Sequence, residues 1–287
     1  RAAKGIILDA EKRGLLKPGG TIVEGTAGNT GIGLTTLAAG RGYKCIISMP
    51  DNQAREKYEL LKMLGAEIRA VPPVPFANPN HFYHQAKKIA EETAGAFWAN
   101  QFENDANGDF HFATTGPEIF EQTKGQIDTF VCAVGTSGTI SGVSRYLKEK
   151  KPGVRVIAAD PFGSGIYSYL KEGKMASTGS SVTEGIGIMR VTANFSRAKI
   201  DDVMQVDDQA MIDMVYHLAE KEGLNVGTSS GVNVTAAYRL AMENAGSGKT
   251  IVTMLCDSGS RYASKILNQD WLKEKNLQPK KLVTTLA

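Results

Sequence analysis

Two glycine-rich stretches hold the residue types best suited to chemistry. In the first, Gly135, Thr136, Ser137, Gly138 and Thr139 cut short an apolar, β-branched run at 129–134. A helical pattern of Ile140, Val143, Tyr146 and Leu147 follows at once. A turn of this kind leaves backbone N–H groups unpaired at the positive end of a helix, with hydroxyls beside them, and suits a phosphate. An ordinary strand-to-helix loop rich in Gly and Thr is the alternative. The second stretch, Thr26, Ala27, Gly28, Asn29, Thr30 and Gly31, has the same form. Its N–H groups, two hydroxyls and one amide suit a carboxylate; helix capping by Asn29 or Thr30 explains the same residues without a ligand. Gln101 closes another predicted strand and reaches toward the same crevice. Clusters at 184–187 (Glu, Gly, Ile, Gly) and 227–231 (Gly, Thr, Ser, Ser, Gly) read equally well as structural turns. Cys256, Asp257, Ser258 and Gly259 end the last strand and bring a carboxylate and a hydroxyl there. No P-loop and no GxGxxG is present, so a phosphate compound smaller than a nucleotide is favoured.

The elements that must position these groups alternate. Helices are expected at about 2–13, 32–40, 55–64, 81–93, 113–123, 166–172 and 231–245, with one after 139, one capped by Asp207 and one from Arg261. Strands are expected at 21–23, 44–49, 67–72, 96–100, 129–134, 154–159, 224–226 and 250–256. Repeated βα units predict an α/β fold of mainly parallel twisted sheet with helices on both faces. Ligands in such folds sit beyond the carboxyl ends of the strands. The boundary between the two sheet regions is expected near 104, giving domains 1–104 and 105–287.

A chain of 287 residues with 42% hydrophobic and 22% charged residues is an ordinary globular composition. A net charge of +3, with no basic run interleaved with aromatics, argues against a nucleic-acid partner. No apolar run is long enough for a membrane span. Cys45, Cys132 and Cys256 form no CxxC pair and read as buried, inert thiols in a reducing compartment. The histidines His81, His84, His111 and His217 complete no metal spacing. Glycine is in excess, 31 of 287 residues or about 11% against a usual ~7%, which fits many tight turns or close backbone approaches to a ligand.

Six ordered motifs carry a resemblance: Glu24 to Gly31; Asn100, Gln101 and Phe102; Thr114 to Ile119; Gly135 to Thr139; Glu184 to Gly187; and Ser229 to Gly231. Their order is similar to that in the cysteine synthases (O-acetylserine sulfhydrylases), of the fold-type II pyridoxal-phosphate family, over about 1–268. The resemblance implies that Gly135, Thr136, Ser137, Gly138 and Thr139 hold the cofactor phosphate. It places Asn29 at the ring hydroxyl and Ser229 at the pyridine nitrogen, with Asp257 the other candidate there. Thr26, Ala27, Gly28, Thr30, Gln101 and Gly185 are implied on the amino-acid side, and about 46–90 as a mobile subdomain. Ala27 stands where the family usually has Ser, leaving backbone N–H groups to do that work. The Schiff-base lysine is expected two residues before Arg1, so no catalytic residue falls within the chain; Lys4 reads as a solvated helix face.

The activity so implied is replacement of the β-substituent of O-acetyl-L-serine by sulfide, giving L-cysteine. Cystathionine β-synthase, an O-phosphoserine sulfhydrylase and a serine or threonine dehydratase are the alternatives within the family. A non-catalytic amino-acid- or partner-binding relative is the alternative outside it. A homodimer, serine acetyltransferase as a possible partner and a cytoplasmic location are further implications.

Overall fold

Short apolar runs separated by amphipathic stretches produce the expected alternation in a computed structural model that describes residues 1–282. α1 (Ala2–Lys12) buries Ile6, Ile7 and Ala10 and leaves Lys4 exposed. β1 (Thr21–Gly25), α2 (Asn29–Arg41), β2 (Lys44–Pro50), α3 (Arg55–Met63), β3 (Glu67–Val71), α4 (Phe82–Glu92) and β4 (Ala96–Trp98) follow. Then come α5 (Asp105–Phe110), a π turn (His111–Thr115), α6 (Gly116–Gln122), β5 (Ile127–Ala133) and α7 (Gly138–Lys150). β6 (Arg155–Pro161), α8 (Ile166–Glu172), α9 (Ala193–Ser196), β7 (Asp202–Val206) and α10 (Asp208–Glu222) continue the chain. α11 (Thr228–Glu243), β8 (Thr250–Thr253) and α12 (Gln269–Glu274) complete it.

The strands form two four-stranded sheets, ordered β3-β2-β1-β4 and β7-β6-β5-β8, parallel throughout and with helices on both faces. This is the expected α/β class. Parallel strands covered on both sides need continuous apolar sequence, and Ile22 and Val23 in β1 and Phe130 and Val131 in β5 are all fully buried. β1 and β5 each lie inside their sheet, and each runs into one of the two glycine turns.

Two compact units make up the chain. The first comprises Arg1–Glu118, Thr136–Lys150 and Val191–Lys199; the second comprises Ile119–Gly135, Lys151–Arg190 and Ile200 onward. In the first, α1, α2 and the β1–β2 pair close around Ile6, Ile22, Leu34, Ile47 and Leu61. In the second, α11 packs along its sheet and α10 packs on α11. Asp207 caps α10, its carboxylate accepting from the Ala210 N–H, and Met211, Met214, Val215 and Leu218 are core.

Several expectations are corrected. Residues 224–226 form no strand; Val226 makes one isolated antiparallel bridge to Ser258, because the short stretch of Leu224, Asn225 and Val226 has no partner strand beside it. The helix expected from Arg261 is a single 3-10 turn, Gly259–Tyr262, with α12 later. Cys256 is not buried like Cys45 and Cys132 but exposed, because β8 ends at Thr253. The helix expected at 113–123 begins at Asp105 instead: Asn104 caps it by accepting from the Ala106 N–H, and a π turn interrupts it. β7 was not anticipated; it is a short edge strand in which only Val203 and Val206 are buried.

Candidate functional site

In the first unit, β1 ends in a loop shaped by backbone rather than side chains. The Thr26 N–H donates to the Ser48 carbonyl at the end of β2, and the Gly28 N–H donates back to Thr26 Oγ1 (3.1 Å). Gly28 adopts φ 130 as the N-cap of α2 and makes no side-chain cap hydrogen bond. The turn stands at the positive end of a 13-residue helix, an environment that suits an anion. Lys57, on α3 and fully buried, lies against Gly28: a Cβ there would stand 2.6 Å from Lys57 Cδ, and Lys57 Nζ reaches the Ala27 carbonyl at 3.5 Å.

Gln101 belongs to the same cluster. Its Nε2 donates to the Gly25 carbonyl (2.9 Å) and to Glu24 Oε1 (3.4 Å), and its N–H donates to Glu24 Oε2 (3.1 Å). Its carbonyl accepts from Asn107 Nδ2 (2.9 Å), and the same nitrogen donates to Thr136 Oγ1 at 2.9 Å. Gln101 and Asn107 thus tie the end of β1, at Glu24 and Gly25, to Thr136 in one polar network.

The turn at the start of α7 is equally constrained. Ser137 takes a left-handed φ of 71, and its hydroxyl is buried with no protein partner. A Cβ on Gly138 would lie 2.0 Å from Asn107 Oδ1, so only glycine lets the helix start this close to α5. Thr139 Oγ1 meets His111 Nε2 at 3.3 Å, and His111 Nδ1 meets Thr115 Oγ1 at 2.8 Å. Burial, aided by the nearby Arg1 guanidinium, pushes His111 down to a pKa of about 3, so its imidazole is neutral. π turns of this kind recur at functional sites.

The second unit contributes the other residues. Gly135, after β5, would drive a Cβ to 2.3 Å from the Gly185 carbonyl oxygen, and the Gly187 N–H donates to the Val134 carbonyl. Glu184 is held by Lys265 Nζ at 2.5 Å. Ser229 lies in the first turn of α11, whose placement follows from Asn233: its Oδ1 accepts from the Ala133 N–H (2.6 Å) and its Nδ2 donates to the Met254 carbonyl (2.8 Å). Thr228, beside Ser229, is 1% exposed and its hydroxyl has no protein partner. The Asp257 carboxylate accepts from the buried Tyr262 hydroxyl at 2.6 Å.

The structure therefore groups Thr26, Ala27, Gly28, Asn29, Thr30, Gln101 and the 136–139 turn in one unit, and Gly135, Gly185 and Ser229 in the other. Sequence reasoning missed the supporting residues Glu24, Lys57, Asn107 and His111. Glu24 stands inside a motif yet looks like any strand carboxylate, and Lys57, Asn107 and His111 reach Ala27, Thr136 and Thr139 across 30, 29 and 28 residues.

A buried hydroxyl left without a partner costs about 1–3 kcal/mol. Ser137, in an anion-suited turn of the first unit, is one such group, and Thr228, at a helix start of the second unit, is another; the first suits a phosphate. An α/β fold with an anion-suited helix start is the frame that a phosphate-anchored cofactor enzyme requires. The chain belongs to the family of pyridoxal-phosphate dependent enzymes, whose sequence profile matches residues 1–257, and its cofactor is pyridoxal phosphate. It is 50% identical to cysteine synthase 1 of Neurospora crassa over 282 residues, covering 96% of this chain and 75% of that protein. It is 41% identical to the putative mitochondrial cysteine synthase of Saccharomyces cerevisiae, covering 92% of this chain and 73% of that one. Cysteine synthase A of Escherichia coli is 39% identical, with 97% and 86% covered.

Proposed function

We propose that this enzyme makes L-cysteine from O-acetyl-L-serine and sulfide by β-replacement. The observation that carries the reading is identity of 39–50% over 96–97% of the chain to cysteine synthases of a bacterium and a fungus. Pyridoxal phosphate, when bound, supplies the electron sink that lets a β-substituent leave an amino acid. The N–H groups at the start of α7, with Gly135, Thr136, Ser137, Gly138 and Thr139, hold its phosphate. Asn29 meets the ring hydroxyl. Ser229 donates to the ring nitrogen without forcing a proton onto it, whereas a carboxylate there would favour the protonated ring. Thr26, Ala27, Gly28 and Thr30, with Gln101, hold the amino-acid carboxylate; at Ala27 the backbone alone does so. Gly185 lines the substrate side, and the stretch 46–90 closes over the bound amino acid.

A homodimer, a cytoplasmic location and docking of serine acetyltransferase complete the proposal; they rest on the family resemblance. Among the described residues no helix is long and apolar enough to cross a membrane, and no group of His, Cys, Asp and Glu could hold a metal. Incubating the full-length holoenzyme with O-acetyl-L-serine and sulfide is expected to yield L-cysteine and acetate, and serine with homocysteine to yield little. Cystathionine as the favoured product, or pyruvate and ammonia released without sulfide, overturns the assignment.

A further inference from the structure

Glu24 is wholly buried one residue before the end of β1, yet it is a carboxylic acid. Removing such a group from water costs several kcal/mol even after relaxation. Tying β1 to the residues after β4 does not require that cost, since a neutral side chain can pack there. What a carboxyl group supplies is two oxygens that both accept, with no N–H of its own to oppose the donors facing it, even when a proton occupies its remaining lone pair. Here three close donors come from Gly25 and Gln101, and the Asn100 N–H adds to them. Oε1 takes the Gly25 N–H (2.8 Å) and Gln101 Nε2 (3.4 Å), while Oε2 takes the Gln101 N–H (3.1 Å). Gln101 is thus gripped by main chain and side chain together, and only 2% of it is exposed. The longest of the three contacts is the one to its amide, so that N–H is the most readily given to another carboxylate.

We propose that Glu24 is a positioning residue for the reaction: it holds Gln101 beside the loop at 26–30 until the α-carboxylate of the amino acid takes over the amide N–H. The inference rests on the proposed role of Gln101 in binding that carboxylate. Asn107 carries the same grip onward, because its Nδ2 spans the Gln101 carbonyl and Thr136 Oγ1.

The test is a double-mutant cycle on the holoenzyme, with L-alanine, which has the carboxylate but no leaving group, titrated by calorimetry. Steady-state constants for O-acetyl-L-serine with sulfide are measured beside it. Glu24→Gln turns an amide NH2 toward a donor and is expected to weaken L-alanine binding about tenfold, the loss of a hydrogen bond to a charged group. KM should rise by a similar factor while kcat changes far less. Gln101→Ala should do the same, and the double variant should be no worse than Gln101→Ala alone, since Glu24 acts only through Gln101. Losses that multiply in the double variant, or unchanged L-alanine binding in Glu24→Gln, overturn the proposal. If Gln101→Ala itself binds L-alanine like the wild type, the role given to Gln101 is wrong and the proposal falls by that separate arm. Should Glu24→Gln not fold, Glu24→Asp keeps both acceptors one methylene short and is read by the same cycle.

Discussion

Thr30 and Ser229 carry the sharpest expectations at the scale of single residues. Thr30→Ala removes a hydroxyl from the loop proposed to hold the amino-acid carboxylate. Substrate binding should weaken by roughly 1–3 kcal/mol, the cost of a hydrogen bond lost to a charged group, with cofactor retention hardly changed. Equilibrium binding of the amino acid and the visible absorbance of the bound cofactor report the two separately. If the cofactor is lost while substrate affinity persists, the roles of the two glycine turns are reversed. Ser229→Ala should lower the rate of β-elimination, and Asp257→Asn should do much less, because the Asp257 carboxylate already accepts the Tyr262 hydroxyl. The opposite order of damage would exchange the two roles.

At the scale of elements, the start of α7 is fixed by its closeness to α5. Gly138→Ala would place a methyl 2.0 Å from Asn107 Oδ1, a distance neither element tolerates. Overpacking of this kind costs about 1–3 kcal/mol, and the strain falls on the N–H groups assigned to the phosphate. Affinity for pyridoxal phosphate, followed by absorbance during titration of the apoprotein, should drop about tenfold or more. Unchanged affinity would show that the turn yields without cost and that its close packing is incidental.

For the whole molecule, two buried groups bend the stability profile in opposite directions. Burial raises Glu24 from 4.5 to about 8, against the pull of the Gln101 and Gly25 N–H groups. The folded state then holds a proton that the unfolded chain has released, so its contribution is full below about pH 4.5 and is lost as pH rises to about 8. Burial lowers His111 from 6.5 to about 3. The unfolded chain then binds a proton that the folded state refuses, so stability is lost as pH falls from 6.5 toward 3. Each proton sets a slope of at most about 1.4 kcal/mol per pH unit. Denaturant unfolding from pH 4 to 8 should therefore show two difference curves of opposite slope, wild type against Glu24→Gln and wild type against His111→Gln. Parallel curves would mean that neither group keeps its shifted affinity for protons.

The βα alternation, the two glycine turns and the order of the motifs were legible in the sequence because each is local. An apolar run, a glycine at a strand end and a helical period lie within a dozen residues of one another, and backbone geometry allows few other readings. Short elements escaped for the same reason. Asp202 to Val206 has too few apolar residues to announce an edge strand, and the run at 224–226 has no strand beside it to become one. What only the tertiary structure decided is support across long separations. Glu24 meets Gln101 from 77 residues away, Asn107 meets Thr136 from 29, and Asn233 reaches Ala133 from 100. Such pairs leave no period or spacing in the chain, since folding alone brings their polar atoms out of water and makes each depend on the other.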